Sequence, residues 1–309
     1  MKKKSFKFLS VLFVFTLLIF TSCQNNDAKK EVVEKEVKKE VKAPAKISSP
    51  APSPSSTIEQ KVGLTDVTLK YSRPSMRGRA IFGGLVDYGK TWRTGANANT
   101  TITFSTDVTI EDKNVPAGTY SIYSVPNKDT WDIMLYADAK NWGNPKEWDD
   151  AKVVAKSTVS VIKMPVNVET FTITFDDLTN TSGVLGLLWE DVYVGMKFNV
   201  PTDKGVMASI EEVMKGEPNA RAFYDAAVYY KTANKDINQA VTWVDKAIEM
   251  SKEDPKYWML RQQSLIHAKA GKTKSAIAAA KKSLVLAIKA ENNDYVKMNK
   301  ASLKEWGAK

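Results

Sequence analysis

The sequence predicts an α+β chain of two folded parts, an antiparallel β-sandwich or barrel-like domain followed by an α-helical module. Three observations carry this. Between Lys61 and Pro201 the chain is a series of short runs rich in β-branched and aromatic residues, among them LTDVTLKY, TTITFS, TYSIYSV, WDIMLYA and ETFTITF, several alternating with period two. Turn signals such as Val115-Pro116-Ala117-Gly118 and Val125-Pro126-Asn127 separate them, with no helical pattern between, which argues for antiparallel neighbours. From Asp203 onward the period becomes helical, and NKDINQAVTWVDKAIEM is echoed by GKTKSAIAAAKKSLVLA with Ala240 over Ala276, 36 residues apart.

Taken in order, residues 1–22 read as a secretion leader: a basic start with Lys2, Lys3, Lys4 and Lys7, an apolar run Phe8 to Phe20, then Thr21-Ser22. Phe20-Thr21-Ser22-Cys23 resembles the lipobox of bacterial lipoproteins. That resemblance implies cleavage before Cys23, acyl chains such as palmitate on it, and a membrane anchor, with the chain in the cell envelope at the outer membrane. Residues 23–60 are expected to be a lipidated tether. KKEVVEKEVKKEVK has too few apolar residues to close a core, and APAKISSPAPSPSS is Pro/Ser-rich and extended.

The β-part, residues 61–201, is expected to hold about nine strands, including RAIFGGLV, VVAKSTVSVIKM, VLGLLWE and VYVGMKFNV. In the helical part, residues 202–309, Ala220, Phe223, Ala227 and Tyr230 share one face. Ile237, Ala240, Val241, Val244, Ala247 and Ile248 share the next, followed by Tyr257 to Ala270 and Thr273 to Ala290. Gly271 and the alanines at 240, 247 and 276 make this a degenerate pair resembling tetratricopeptide repeats, with Asn234 where a glycine belongs. A pair is too short to bury a continuous core, so the helices are expected to lean on the β-part or on a protein partner.

Composition narrows the chemistry. The formal charge of +10 falls to +6 without the four leader lysines, and it is spread as Lys/Glu mixtures without an aromatic-interleaved stripe, which argues against nucleic-acid binding. One cysteine, Cys23, and one histidine, His267, do not furnish a Cys/His metal cluster. No cofactor and no metal are expected, and His267 reads as a packed helix residue.

The candidate site is the stretch Tyr71 to Asn97. Arg73, Arg77, Arg79 and Arg93 are four of the chain's six arginines, and no lysine occurs between Lys70 and Lys90. A guanidinium is a planar fork suited to carboxylates and phosphates. Trp92, Arg93 and Asn97 together suit a loop closing over an anionic or glycan ligand. The competing structural reading, which is favoured, pairs Arg79 and Arg93 with Glu190 or Asp87 inside the fold, since Glu190 shares a strand face with Leu188 and Val192. Trp131, Trp142 and Trp148 form either a stacking platform or a lid. The doublets Asp176-Asp177 and Glu190-Asp191 are the footing for a carboxylate-dependent enzyme acting on an envelope polymer or glycan; neighbours on a strand point to opposite faces, so such an enzyme would need a cross-strand pair.

Tyr71-Ser72-Arg73-Pro74, Gly78-Arg79, Ile81-Phe82-Gly83, Trp92-Arg93-Thr94-Gly95-Ala96-Asn97, Pro116-Ala117-Gly118-Thr119-Tyr120, Trp142-Gly143 and Trp189-Glu190 occur in this order. Together they resemble the bacterial family called domain of unknown function 2911, over about residues 61–200. The resemblance implies a secreted protein, often linked to helical repeats, and no activity. The resulting expectation is an envelope lipoprotein that acts as a non-enzymatic binding or scaffolding module.

Overall fold

The computed structural model describes residues 47–308. The leader, Cys23 and most of the tether lie outside the described residues. Residues 50–308 belong to one compact unit.

Ten strands form two antiparallel sheets. The first contains β1 (Ser55–Val62), β2 (Thr65–Ser72), β3 (Thr101–Phe104), β6 (Gly118–Pro126), β7 (Thr130–Tyr136) and β8 (Val153–Ser160), in the spatial order β1-β2-β3-β6-β7-β8. The second orders β5 (Lys113–Val115), β4 (Val108–Ile110), β10 (Ser182–Asn199) and β9 (Ile162–Asp176) as β5-β4-β10-β9. One apolar core joins the inner faces. It takes Val67, Leu69, Ile102, Ile122, Trp131 and Ile133 from the first sheet and Val108, Phe171, Ile173, Leu187 and Val194 from the second. The alternation of β2, with Val67, Leu69 and Tyr71 inward, is the period-two pattern of a half-buried strand.

Three expectations are corrected. β1 begins at Ser55, inside the stretch expected to be tether, and pairs with β2 along its whole length. Its composition is that of a linker, but Ile58 packs on the core and an edge strand needs only one such face. RAIFGGLV is not a strand: it is a turn-rich segment with one isolated bridge, Phe82 to Val86, and Gly83 has φ +83°. VLGLLWE and VYVGMKFNV are one strand, β10, carrying register shifts between Leu188 and Glu190 and between Glu190 and Val192.

Those shifts explain β10. Its core residues are Leu185, Leu187 and Trp189 before the irregularity, and Val192, Val194, Met196 and Phe198 after it. The inward parity therefore changes from odd to even at Glu190-Asp191, as an inserted bulge residue requires. Glu190 itself has φ +54°. It is half-buried and stands outside the apolar core that Val192 joins.

On its outer face the first sheet has a smaller apolar cluster of Tyr123, Met134 and Tyr136, covered by Trp148.

Six helices follow: α1 (Thr202–Lys215), α2 (Ala220–Thr232), α3 (Ile237–Met250), α4 (Tyr257–Lys269), α5 (Thr273–Lys289) and α6 (Asn293–Glu305). α2 packs with α3 and α4 with α5, while α4 also touches α2 and α6. The alanines at 227, 240, 247, 276 and 280 are fully buried, allowing close helix approach. Asn219 and Asp236 cap α2 and α3 by accepting amide hydrogens. Asn234 (φ +52°) and Gly271 (φ +73°) occupy the left-handed position after α2 and α4. His267 is buried and its Nε2 meets Asp245 Oδ1 at 2.8 Å, so it serves helix packing.

The β-part meets the helices at Thr202, whose Oγ1 accepts from Leu64 N at 3.4 Å. Within the helices Asp203, in the first turn of α1, accepts Tyr229 OH and pairs with Lys235. Gly63 (φ +56°) lies so close to α1 that a β-carbon would stand 1.8 Å from Thr202 Oγ1 and 2.3 Å from the Asn180 carbonyl. Gly63→Ala is expected to cost about 2–4 kcal/mol, combining left-handed strain with overpacking against backbone that cannot yield. The urea midpoint reads it.

Candidate functional site: an arginine-lined cavity

The connection from β2 to β3, residues 73–100, is long for a compact domain, and loops of this length without secondary structure are commonly functional. It is stitched to both sheets. Ser75 bridges Thr170 on β9, with Met76 N donating to Glu169 O and Phe171 N to Pro74 O. Farther on, Trp92 and Ser124 exchange amide hydrogen bonds on the other sheet. Glu190 holds the middle, its two carboxylate oxygens accepting from Ile81 N and Phe82 N at 3.3 Å each.

Beneath the loop is an aromatic knot. Trp92 stacks on Trp189 (centroids 5.9 Å, 19° between planes) and meets Phe82, Trp131 and Phe171 edge-on. The Trp92 indole N–H donates to Gly95 O, and that of Trp189 to Glu169 O. Both rings thus bury their apolar area with the polar atom satisfied.

A cavity of about 460 Å³ lies above this knot, lined by Arg77, Arg79 and Arg93, by Pro52, Ser53, Pro74, Ser75 and Asn97, and by the apolar Leu85, Val86, Trp92 and Trp189. Gly95 and Ala96 complete the wall, and no lining residue is acidic. Main-chain carbonyls orient the forks. Arg77 Nη2 donates to Pro52 O, Arg79 Nε and Nη2 to Met76 O and Ser75 O, and Arg93 Nη1 to Asn97 O. Asn97 Nδ2 in turn donates to Ser53 O. The cavity wall therefore includes the segment entering β1, whose residues gave no sign in the sequence.

The expected pairing of Arg79 and Arg93 with Glu190 or Asp87 is not what the structure holds. None of Arg73, Arg77, Arg79 and Arg93 forms an ion pair among the described residues. The physical reason lies in the β10 bulge, whose left-handed Glu190 spends its carboxylate on two loop amides, while Asp87 is exposed. Arg73 is also separate from the cavity: it bonds Phe171 O and Thr172 Oγ1 on β9. Trp189 is a lining residue that sequence reasoning did not place there, although its neighbour Glu190 was singled out.

Backbone strain is concentrated here. Among the described residues eight non-glycines have positive φ, and four of them, Arg77, Thr94, Asn97 and Glu190, lie in or against the loop and its support. Such conformations persist only where surrounding bonds over-determine them, and they cluster at sites that hold ligands. Arg77 N donates to Glu169 Oε1, Thr94 Oγ1 shares a hydrogen with Ser124 Oγ, and Asn97 is tied as above.

Gly143 abuts the site, because a β-carbon there would meet the Arg93 guanidinium at 3.0 Å. Its carbonyl accepts from Tyr123 OH, whose proton burial holds above the ordinary tyrosine range. The three tryptophans of the proposed platform are apart in role: Trp131 is core, Trp148 covers Tyr123 and Tyr136, and Trp142 is 72% exposed. The acid doublets face no second carboxylate in the cavity. Asp176 accepts from Thr174 and Tyr193, Asp191 pairs with Lys163, and burial followed by Asp176 pushes the Tyr193 hydroxyl up to about 12.

Residues 53–198 match the family described as protein of unknown function, DUF2911. The match covers both sheets, the arginine loop and Trp189-Glu190, and it ends before α1. No curated protein and no solved structure matches the chain. The matched residues include every lining residue of the cavity except Pro52. Among the described residues no group of acids, histidine and cysteine is arranged to hold a metal ion, and no helix is long and apolar enough to cross a membrane.

Proposed function

We propose that this chain is an envelope lipoprotein, anchored through acyl chains at Cys23, whose DUF2911 region binds a small anionic ligand in the arginine-lined cavity without transforming it. One observation carries the reading: three guanidinium groups line one cavity, each held by main-chain carbonyls and none neutralised by a carboxylate among the described residues. Charges so placed favour an anion, and cationic forks fixed by the backbone lose little entropy on binding one. The two sheets form a β-sandwich in this account, and α2 to α5 form a tetratricopeptide-like pair that presents its outer surface to a protein partner. The packing of α2 with α3 and of α4 with α5, and the left-handed turn residues Asn234 and Gly271, support that assignment. A carboxylate-dependent enzyme has less to rest on, since no acid lines the cavity.

Calorimetric titration of the detergent-solubilised full chain tests the ligand half. Inorganic phosphate, sulfate and citrate are expected to compete for one saturable site, and glucose to give no heat. Equal responses to neutral and anionic solutes would count against the reading. The anchor half predicts that Cys23→Ser moves the protein from the membrane to the soluble fraction.

A further inference from the structure

The cavity is larger and more varied than an anion alone requires, and we infer that its ligand is a phosphomonoester carried on a flat or apolar body. The inference rests on the anion-binding reading above and specifies its chemistry. Two features of the lining point to it.

The first is the supply of donors and charge. Arg77 engages only Nη2, Arg93 only Nη1, and Arg79 Nε and Nη2, leaving N–H groups on all three guanidiniums for a ligand. A carboxylate brings one negative charge and two acceptor oxygens. A phosphomonoester brings about −1.5 to −2 charge at pH 7 and three strong acceptor oxygens, the better match to three cations around one space. Asn97 adds little, because its amide nitrogen already serves Ser53 O and Ser72 Oγ.

The second is the apolar part of the lining. Leu85 (49% exposed), Val86, Trp92 and Trp189 face the same space as the arginines. At about 460 Å³ the cavity falls within the ~300–1,000 Å³ typical of organic-ligand sites, far more than a bare phosphate fills. A lining that combines apolar side chains with three cations is complementary to a molecule with an anionic end and an apolar end. Leu85 is the variable part of this lining, since it is exposed while Trp92 and Trp189 are fixed by the aromatic knot.

Titrating the full chain with phenyl phosphate, inorganic phosphate and benzoate tests this. Phenyl phosphate is expected to bind at least tenfold more tightly than either of the others. Leu85→Ser is expected to abolish the advantage of phenyl phosphate over inorganic phosphate while leaving inorganic phosphate unchanged, and Arg221→Gln, remote on α2, to change nothing. Benzoate binding as tightly as phenyl phosphate overturns the phosphoryl assignment, and inorganic phosphate doing so overturns the apolar body. In both cases the anion-binding reading stands. Binding of none of the three overturns the reading and the inference together.

Discussion

Trp92→Ala is expected to lower the stability of the β-part by about 2–4 kcal/mol, somewhat below the cost of removing a fully buried aromatic, because Trp92 is half-buried against the core. Trp92 contacts Phe82, Trp131, Phe171 and Trp189, so its removal leaves space that four rings and their backbones cannot all close. Its indole also holds Gly95 O, and its backbone bridges Ser124, so the loop that carries Arg93 and Asn97 loses its inner support. Chemical denaturation read by tryptophan fluorescence measures the change. A loss below about 1 kcal/mol would mean that the knot is not the loop's foundation.

The second large effect is on binding. The double variant Arg77→Gln, Arg79→Gln removes two of the three cations while sparing the core, because both side chains are exposed and bond only to carbonyls. Charge-assisted hydrogen bonds are worth about 1.5–3 kcal/mol each, so affinity for phenyl phosphate should fall by on the order of 10²–10⁴-fold. Stability should change by about 0.5 kcal/mol or less, as for exposed substitutions elsewhere. Arg93 is left in place deliberately, since it packs on Gly143 and holds Asn97 O.

The general plan of this molecule was legible in its residues. Alternation in β2 and the switch of period near Thr202 locate the sheets and the helices, because burial on one face imposes those periods directly. What escaped was set by contacts distant in sequence. The bulge at Glu190 reverses the parity of β10, yet the residues around it read as an uninterrupted alternation until the partner strand is known. RAIFGGLV has strand-forming composition, but Glu190, 109 residues beyond Ile81, captures its amides and holds it as a turn. β1 carries serine, threonine and glutamine on a sheet edge, where composition distinguishes poorly between strand and linker.

The arginines show the same limit from the other side. Their concentration identified the site, while the direction of each fork depended on carbonyls at Pro52, Ser75, Met76 and Asn97, which any residue type supplies. A rule that buried charges need partners favoured ion pairs with Glu190. Arg77 and Arg79 are exposed, so that rule did not govern them.

An anion site in the arginine-lined cavity has a direct consequence for binding. Isothermal titration of phenyl phosphate into the full chain and into the Arg77→Gln, Arg79→Gln variant tests it most directly. One saturable site is expected in the unaltered chain, weakened by salt, and it is expected to be lost in the variant with the denaturation midpoint preserved. Equal affinity in the two proteins, or no binding to either, would contradict it.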